Sequence, residues 1–328
     1  MKKKYVIGLD IGGTKIECVL FILKEDKALE KVVSQRIETL RDQGYQSVMQ
    51  RISNLVTNVL KSKSLSPDDL LGLGSGLPGS IDPKTRKMIN GNSQIFIDQD
   101  FIRDLRELTH IQNIRIANDA NLFALAEACQ GAGKSYAQEF DLSYRDLTVV
   151  GIILGTGCGG GLCINAQLFT GTHGGGAEVG HSVLISGGRD CYCGRKGCAE
   201  QYLSGSSVEK HFELVKPSGA PSLRASEIFQ MAKSSEKSPE LLKIARKSLE
   251  DYRHNLIEFL TNLTALYDPH LFVLGGGVST IDEIYPELED RLWKNLFVKG
   301  SKPKVYRHKI GDSAGALGAA LLIQQSSE

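Results

Sequence analysis

The chain has 328 residues, 41% hydrophobic and 23% charged; this is a soluble globular composition, and it exceeds the size at which one core ordinarily stops growing, so two domains are expected. Its 39 basic and 38 acidic side chains leave a formal net charge of +1, which provides no electrostatic footprint for nucleic acid or an anionic membrane surface. No run approaches the ~20 apolar residues of a membrane span, and Asp10 interrupts the first apolar run before a signal-peptide core is complete. Seven cysteines, three of them packed together, argue for a reduced, cytoplasmic chain with a metal site over a secreted disulfide framework.

The first predicted element is the strand in VIGLDIGGT, residues 6 to 14, a Val/Ile-rich run that ends at a Gly/Thr turn. From Val48 through Ile52, Leu55, Val56, Val59 and Leu60 the apolar residues recur at helical spacing, as core packing requires. IRIAN then reads as a strand, with a helix starting at Ala120 or Asn121, so that Asp119 sits where an N-cap would be. VVGIILGTG, residues 149 to 157, repeats the opening motif at an offset of 143. Asp10 has no acidic counterpart in that repeat, where Ile153 takes its place. Residues 213 to 238 read as loop with one short helical segment. A long helix is predicted from Ser238 as N-cap and Pro239 as first residue, through Leu242, Leu249, Tyr252, Leu256, Phe259 and Leu263, to a stop near Asp268-Pro269. LFVLGGG, residues 271 to 277, is a third strand ending in glycines. Strands alternating with helices imply an α/β architecture with largely parallel sheets.

Between the second and third glycine turns, HSVLISGGRDCYCGRKGCAE carries His181, Cys191, Cys193 and Cys198. Four such ligands complete a tetrahedral zinc shell and leave no open position, so the site is structural. Gly194 and Gly197 allow the sharp turns that bring the sulfurs together, and Arg195 and Lys196 offset thiolate charge. A disulfide or free thiols are the alternatives. Cys18, Cys129, Cys158 and Cys163 read as packing residues.

VIGLDIGGTKIE, IANDANLFALAEA, ILGTGCGGG, AEVGH and CYCGRKGCAE, in that order, resemble the ROK family of sugar kinases and sugar-responsive repressors, within the actin/hexokinase superfamily. The wording is most similar to the fructokinase and N-acetylglucosamine kinase members. The resemblance implies two ribonuclease-H-like (actin-like ATPase) domains flanking a central cleft. Their boundaries would be 1–121, with a helix at about 312–326 packing back on it, and 122–311, the larger domain carrying the zinc loop. It further implies a homodimer and transfer of a phosphoryl group to a primary hydroxyl, normally the 6-position.

In such a cleft the N–H groups of glycine turns and Thr hydroxyls cradle phosphate oxygens. Gly12, Gly13, Thr14 and Lys15 suit that role on one side of ATP, and Gly155, Thr156, Gly157 and Gly159 on the other; read singly, each is also an ordinary tight turn. Asp10 supplies a carboxylate for Mg2+, through water. Gly275, Gly276, Gly277 and Val278 resemble the family's adenosine-contacting turn. Asp119 is the candidate general base toward the sugar hydroxyl, with the helix cap as its ordinary reading. Asn92 and Asn118 are suited to hydrogen-bond sugar hydroxyls, Gly79 to let backbone approach the sugar, and Glu178 and Glu200 resemble two further hydroxyl-binding carboxylates, each equally readable as a surface charge.

The function this implies is ATP-dependent phosphorylation of a hexose. Fructose or N-acetylglucosamine is favoured over glucose, because glucokinases place a Trp shortly after the Asn whereas the single tryptophan here is Trp293. A sugar-responsive regulator or a non-catalytic sugar-binding protein is the alternative. The first strand starts by residue 5, which leaves no expected place for a DNA-binding segment before it, and a zinc hydrolase would need the open coordination position that a Cys3His set denies.

Overall fold

The computed structural model describes residues 4–91, 93–233 and 238–325. The first elements are β1 (Tyr5–Ile11), β2 (Lys15–Leu23), β3 (Leu29–Glu38), α1 (Gly44–Lys61), β4 (Leu70–Leu77), β5 (Gly79–Ile81) and β6 (Met88–Gly91). They are followed by α2 (Phe101–Thr109), β7 (Ile114–Asn118), α3 (Asp119–Gln130) and α4 (Ala132–Glu139). Then come β8 (Thr148–Leu154), β9 (Cys158–Ile164), β10 (Gln167–Leu168), α5 (Glu200–Leu203), α6 (Gly205–Val215) and α7 (Ala225–Met231). The chain closes with α8 (Pro239–Tyr267), β11 (Leu271–Gly275), α9 (Leu288–Asn295), β12 (Lys304–Arg307) and α10 (Ala314–Gln324). No described helix is long and apolar enough to cross a membrane.

The chain divides into two compact units, one comprising residues 1–134, 166–177 and 309–328 and the other residues 135–165 and 178–308. In the first, the sheet runs in the order β3-β2-β1-β4-β7, antiparallel across β3, β2 and β1 and parallel from β1 through β4 to β7. In the second, four strands run β9-β8-β11-β12, with β8 antiparallel to β9 and parallel to β11. The internal repeat is therefore structural: β1 and β8 carry the same offset of 143 that relates VIGLDIGGT to VVGIILGTG. Each opens a sheet of the same order, and each turns through glycine into an antiparallel partner.

The two faces of the first sheet are read directly from the period of two in its strands. Ile7, Leu9 and Ile11 of β1 join Leu73 and Leu77 of β4 in a core with Val48, Ile52, Leu55 and Val59 of α1. The alternate residues, Gly8 and Gly74, face the other way and receive α10. A Cβ at Gly8 would overlap the Ala316 carbonyl, and one at Gly74 the Ala319 carbonyl. Absence of a side chain lets the helix backbone settle against the strands, and α10, almost wholly Ala, Gly and Leu, is buried along its length.

Glu127 of α3 is fully buried. Its carboxylate accepts the N–H groups of Ala132 at 2.9 Å, Lys309 at 2.9 Å and Ile310 at 2.8 Å. A buried charge is tolerable only when hydrogen bonds replace its water. Here they also fasten the end of α3 to the segment that leads into α10.

Candidate functional site

The first glycine turn joins β1 to β2. Gly12 N–H donates to the Lys15 carbonyl at 2.9 Å, and Thr39 buttresses the turn by donating its hydroxyl to the Gly12 carbonyl at 2.8 Å. Thr14 and Lys15 are exposed. Just below the turn, Asp10 lies opposite Glu17 in the hairpin register. Glu17 is buried and ion-paired with Arg36 at 3.1 Å. Burial, and then the charges of Asp119 and Glu17, raise the Asp10 carboxyl from 3.8 to about 6, with Lys15 and Arg36 opposing. Such concentrated negative potential is the electrostatic setting that favours a divalent cation. Glu17 was not among the sequence-derived candidates, although the hairpin contains its signal: a turn at residues 12 to 15 pairs positions 10 and 17 across the two strands.

Asp119 is the first residue of α3 and is exposed. The cap is supplied by its neighbour. Asn118 Oδ1 accepts the N–H of Ala120 at 2.8 Å and of Asn121 at 3.4 Å, while its Nδ2 donates to the Gly79 carbonyl at 3.3 Å. The Asp119 carboxylate also accepts from Ala120 N–H at 2.8 Å. The capping role that explains an Asp at such a junction thus belongs chiefly to Asn118. Gly79 opens β5, where a Cβ would overlap the Asn90 carbonyl of β6 and approach Met88 Sδ at 2.8 Å, so its missing side chain already serves the hairpin. Asn92 lies outside the described residues.

In the other unit, Gly155 N–H donates to the Gly157 carbonyl at 3.0 Å, forming the turn between β8 and β9, with Thr156 exposed and Gly159 already inside β9. The turn of Gly275, Gly276, Gly277 and Val278 lies against it. Gly276 has φ +79°, and a Cβ there would stand 2.6 Å from the Leu154 carbonyl, so both the conformation and the close approach require glycine. Gly205 N–H donates to the Gly155 carbonyl at 2.7 Å. One residue decides how the next loop joins this group: Glu200, at the start of α5, accepts the Cys158 N–H at 3.0 Å. Glu178, which precedes a short 3-10 turn at Val179–His181, is exposed.

His181, Cys191, Cys193 and Cys198 converge, with one ligand atom from each lying within 4.8 Å of all the others. Cys191 Sγ stands 3.6 Å from His181 Nδ1, and Cys193 Sγ 3.6 Å from Cys198 Sγ. A tetrahedral zinc with sulfur at about 2.3 Å and nitrogen at about 2.0 Å separates its ligand atoms by roughly 3.5 to 3.8 Å, so the spacing fits that ion. Gly194 and Gly197 take φ of +87° and +78°, the left-handed turns that the clustering needs. His181 Nε2 lies 3.1 Å from the Tyr192 hydroxyl, an outer partner that orients the ring with Nδ1 inward. Cys18, Cys129, Cys158 and Cys163 are all buried, and burial pushes the Cys158 thiol up to about 12, as expected of packing residues.

Two units built on one strand order, with glycine turns where their first strands end, define a mixed α/β protein of the actin-like ATPase fold. Residues 6–326 match the ROK family, and the chain belongs to it. It is 33% identical over 325 residues to the N-acetyl-D-glucosamine kinase of Pectobacterium carotovorum subsp. carotovorum (strain PC1), covering 96% of this chain and 97% of that protein. Among solved structures it is similar to the ROK hexokinase from Thermus thermophilus, with TM-score 0.81 and 25% identity over 99% of this chain and 100% of that one. A ROK family glucokinase from Streptomyces griseus, in complex with glucose and AMPPNP, has TM-score 0.71 and 25% identity, covering 98% of this chain and 99% of that one.

Proposed function

We propose that this sugar kinase transfers the γ-phosphoryl group of ATP to the primary hydroxyl of a hexose, with N-acetylglucosamine its foremost substrate, and that Asp119 takes the hydroxyl proton. The observation that carries the assignment is the exposure of Asp119 at the start of α3 while Asn118 does the capping. A carboxylate so placed is held by the helix end yet faces outward, as a general base must. The names of the curated relatives, N-acetyl-D-glucosamine kinases at about a third identity over nearly the whole chain, support the substrate.

In this reading the glycine turns at 12–15 and 155–159 take the phosphate oxygens, and the turn at 275–278 takes the adenosine. Mg2+, when bound with ATP, would neutralise charge on the β- and γ-phosphates, and Asp10 would hold it through water. Asn118, Asn92, Glu178 and Glu200 orient the sugar hydroxyls. His181, Cys191, Cys193 and Cys198 would hold zinc as a structural brace for the loop that carries Glu178 and Glu200. Fructose and glucose are secondary candidates on the same hydroxyl-reading chemistry.

The test is sugar-dependent ADP release over a panel of N-acetylglucosamine, N-acetylmannosamine, glucose, mannose and fructose, repeated with Asp119→Asn. The substitution lowers kcat by about 10²-fold or more, the usual contribution of a positioned general base. Near-normal turnover in that variant refutes the assignment.

A further inference from the structure

Next to Asn118 lies a small cavity of about 70 Å³, walled by Ile81, Pro83, Ile116, Ala117 and Asn121, with Arg86 and Thr170 at its exposed rim. Gly174, with φ +76°, presses the 170–176 segment against the Ile81 carbonyl and closes one side. Asn121 is 5% exposed, and its Oδ1 is a buried oxygen with no hydrogen-bond partner. Buried polar atoms are almost always paired, so an orphaned acceptor in a cavity wall points to a donor that arrives with a ligand.

We infer that this cavity receives the acyl group of a 2-acylamido sugar, with Asn121 Oδ1 accepting the amide N–H and the walls enclosing the methyl. The inference rests on the reading that Asn118 and Asp119 face the sugar, and it deepens that reading by naming the substituent that distinguishes substrates. Chemistry decides against the simpler occupants. A hydroxyl brings no carbon to cover Ile81, Pro83 and Ala117, whereas an acetamido group brings a methyl for those walls, an N–H for the orphaned oxygen and a carbonyl for the donors Thr170 or Arg86 at the rim. Size limits the acyl chain. The cavity is small, so each methylene added beyond an acetyl group is less well accommodated by its walls.

The test uses the full-length protein and compares kcat/KM for N-acetylglucosamine, N-butanoylglucosamine and glucose in the native chain and in Asn121→Leu and Ile81→Ala. In the native chain the acetyl sugar exceeds glucose by about 10²-fold or more and the butanoyl sugar by about tenfold, in line with the worth of a read hydrogen bond and of extra methylenes in a small apolar-walled pocket. Asn121→Leu lowers the ratio of N-acetylglucosamine to glucose at least ~10-fold. Ile81→Ala enlarges the cavity and raises butanoyl against acetyl by about the same factor; if Asn121→Leu fails to fold, this gain decides alone. Equal losses on both sugars in Asn121→Leu, or butanoyl used as well as acetyl by the native chain, overturn the inference. Turnover of glucose or fructose with none of the acylamido sugars overturns it while leaving the kinase reading intact. Absence of turnover with every hexose sinks the kinase reading instead. Calorimetric titration of N-acetylglucosamine without ATP then decides the cavity: binding lost in Asn121→Leu upholds it, and binding retained at native strength overturns it.

Discussion

Replacing Glu127 by Leu removes a carboxylate that is fully buried and that accepts three backbone N–H groups, from Ala132, Lys309 and Ile310. A hydrogen bond to a charged acceptor contributes about 1.5–3 kcal/mol net, and a buried donor left without a partner costs about 1–3 kcal/mol. Three such donors would sum to roughly 3–9 kcal/mol. Relief from holding a desolvated carboxylate returns several kcal/mol of that, so the expected net loss is about 1–5 kcal/mol, a sizeable share of the ~5–15 kcal/mol that stabilises a typical domain. Glu127→Gln keeps an oxygen for Lys309 and Ile310 but turns an amide NH2 toward the Ala132 N–H, so its loss is about 1–2 kcal/mol. Two compact units need not unfold as one, so a urea midpoint alone is ambiguous. Amide hydrogen exchange at Ala132, Lys309 and Ile310 reads the clamp itself, and protection there should fall in the order native, Gln, Leu. Native exchange rates at all three amides in Glu127→Leu, together with an unshifted midpoint, would refute the reasoning.

Asp10 makes stability depend on pH in the opposite sense to an ordinary salt-bridged carboxylate. Its folded pKa, raised from 3.8 to about 6, means that the folded chain binds a proton the unfolded chain has released; the stabilisation is full below about pH 4 and lost as pH rises through about 6. At pH 7 the penalty is up to about 3 kcal/mol, from ~1.4 kcal/mol per pKa unit. Asp10→Asn should therefore be more stable than the native chain at pH 7 in metal-free buffer and nearly level with it at pH 4, as urea midpoints at the two pH values will show. Gly74→Ala places a Cβ into the Ala319 carbonyl and should lower stability by about 1–3 kcal/mol, the usual range for overpacking, readable as a fall in Tm. Cys193→Ser should abolish stoichiometric zinc in the purified protein, measured by atomic emission, and raise KM for the sugar. Full zinc occupancy in that variant counts against the ligand set.

What was legible in the sequence was what local patterning determines. Apolar runs ending in glycine marked β1, β8 and β11, IRIAN is β7 residue for residue, and the proline at 239 with Asp268 beyond the last turn bounded α8. LLGLGSGL received no assignment from its sequence, because none of its eight residues carries the β-branched or aromatic side chain typical of a strand. It is a central strand all the same. Leu70, Leu73 and Leu77 belong to the core that contains the apolar face of α1, and Gly74 lets α10 settle against the strand, a reason supplied by a helix more than two hundred residues later. Glu127 was hidden for the same kind of reason, since a glutamate in a helix is ordinarily a solvated charge, and the amides that make it otherwise come partly from residues 309 and 310.

The convergence of His181, Cys191, Cys193 and Cys198 followed from their spacing, but the reach of that loop did not. Glu200, two residues beyond Cys198, grips the N–H of Cys158, and a Cβ at Gly157 would stand 2.8 Å from the same carboxylate oxygen. Gly205, at the other end of that short helix, donates to the Gly155 carbonyl. The loop anchored by His181 and the three cysteines is therefore fastened at two points to the glycine turn assigned to phosphate. A brace that served only Glu178 and Glu200 in their proposed contacts with the sugar would raise KM for the sugar alone when Cys193 is replaced. This connectivity requires that KM for ATP rise with it, because the turn loses the support of Glu200 when the loop is released.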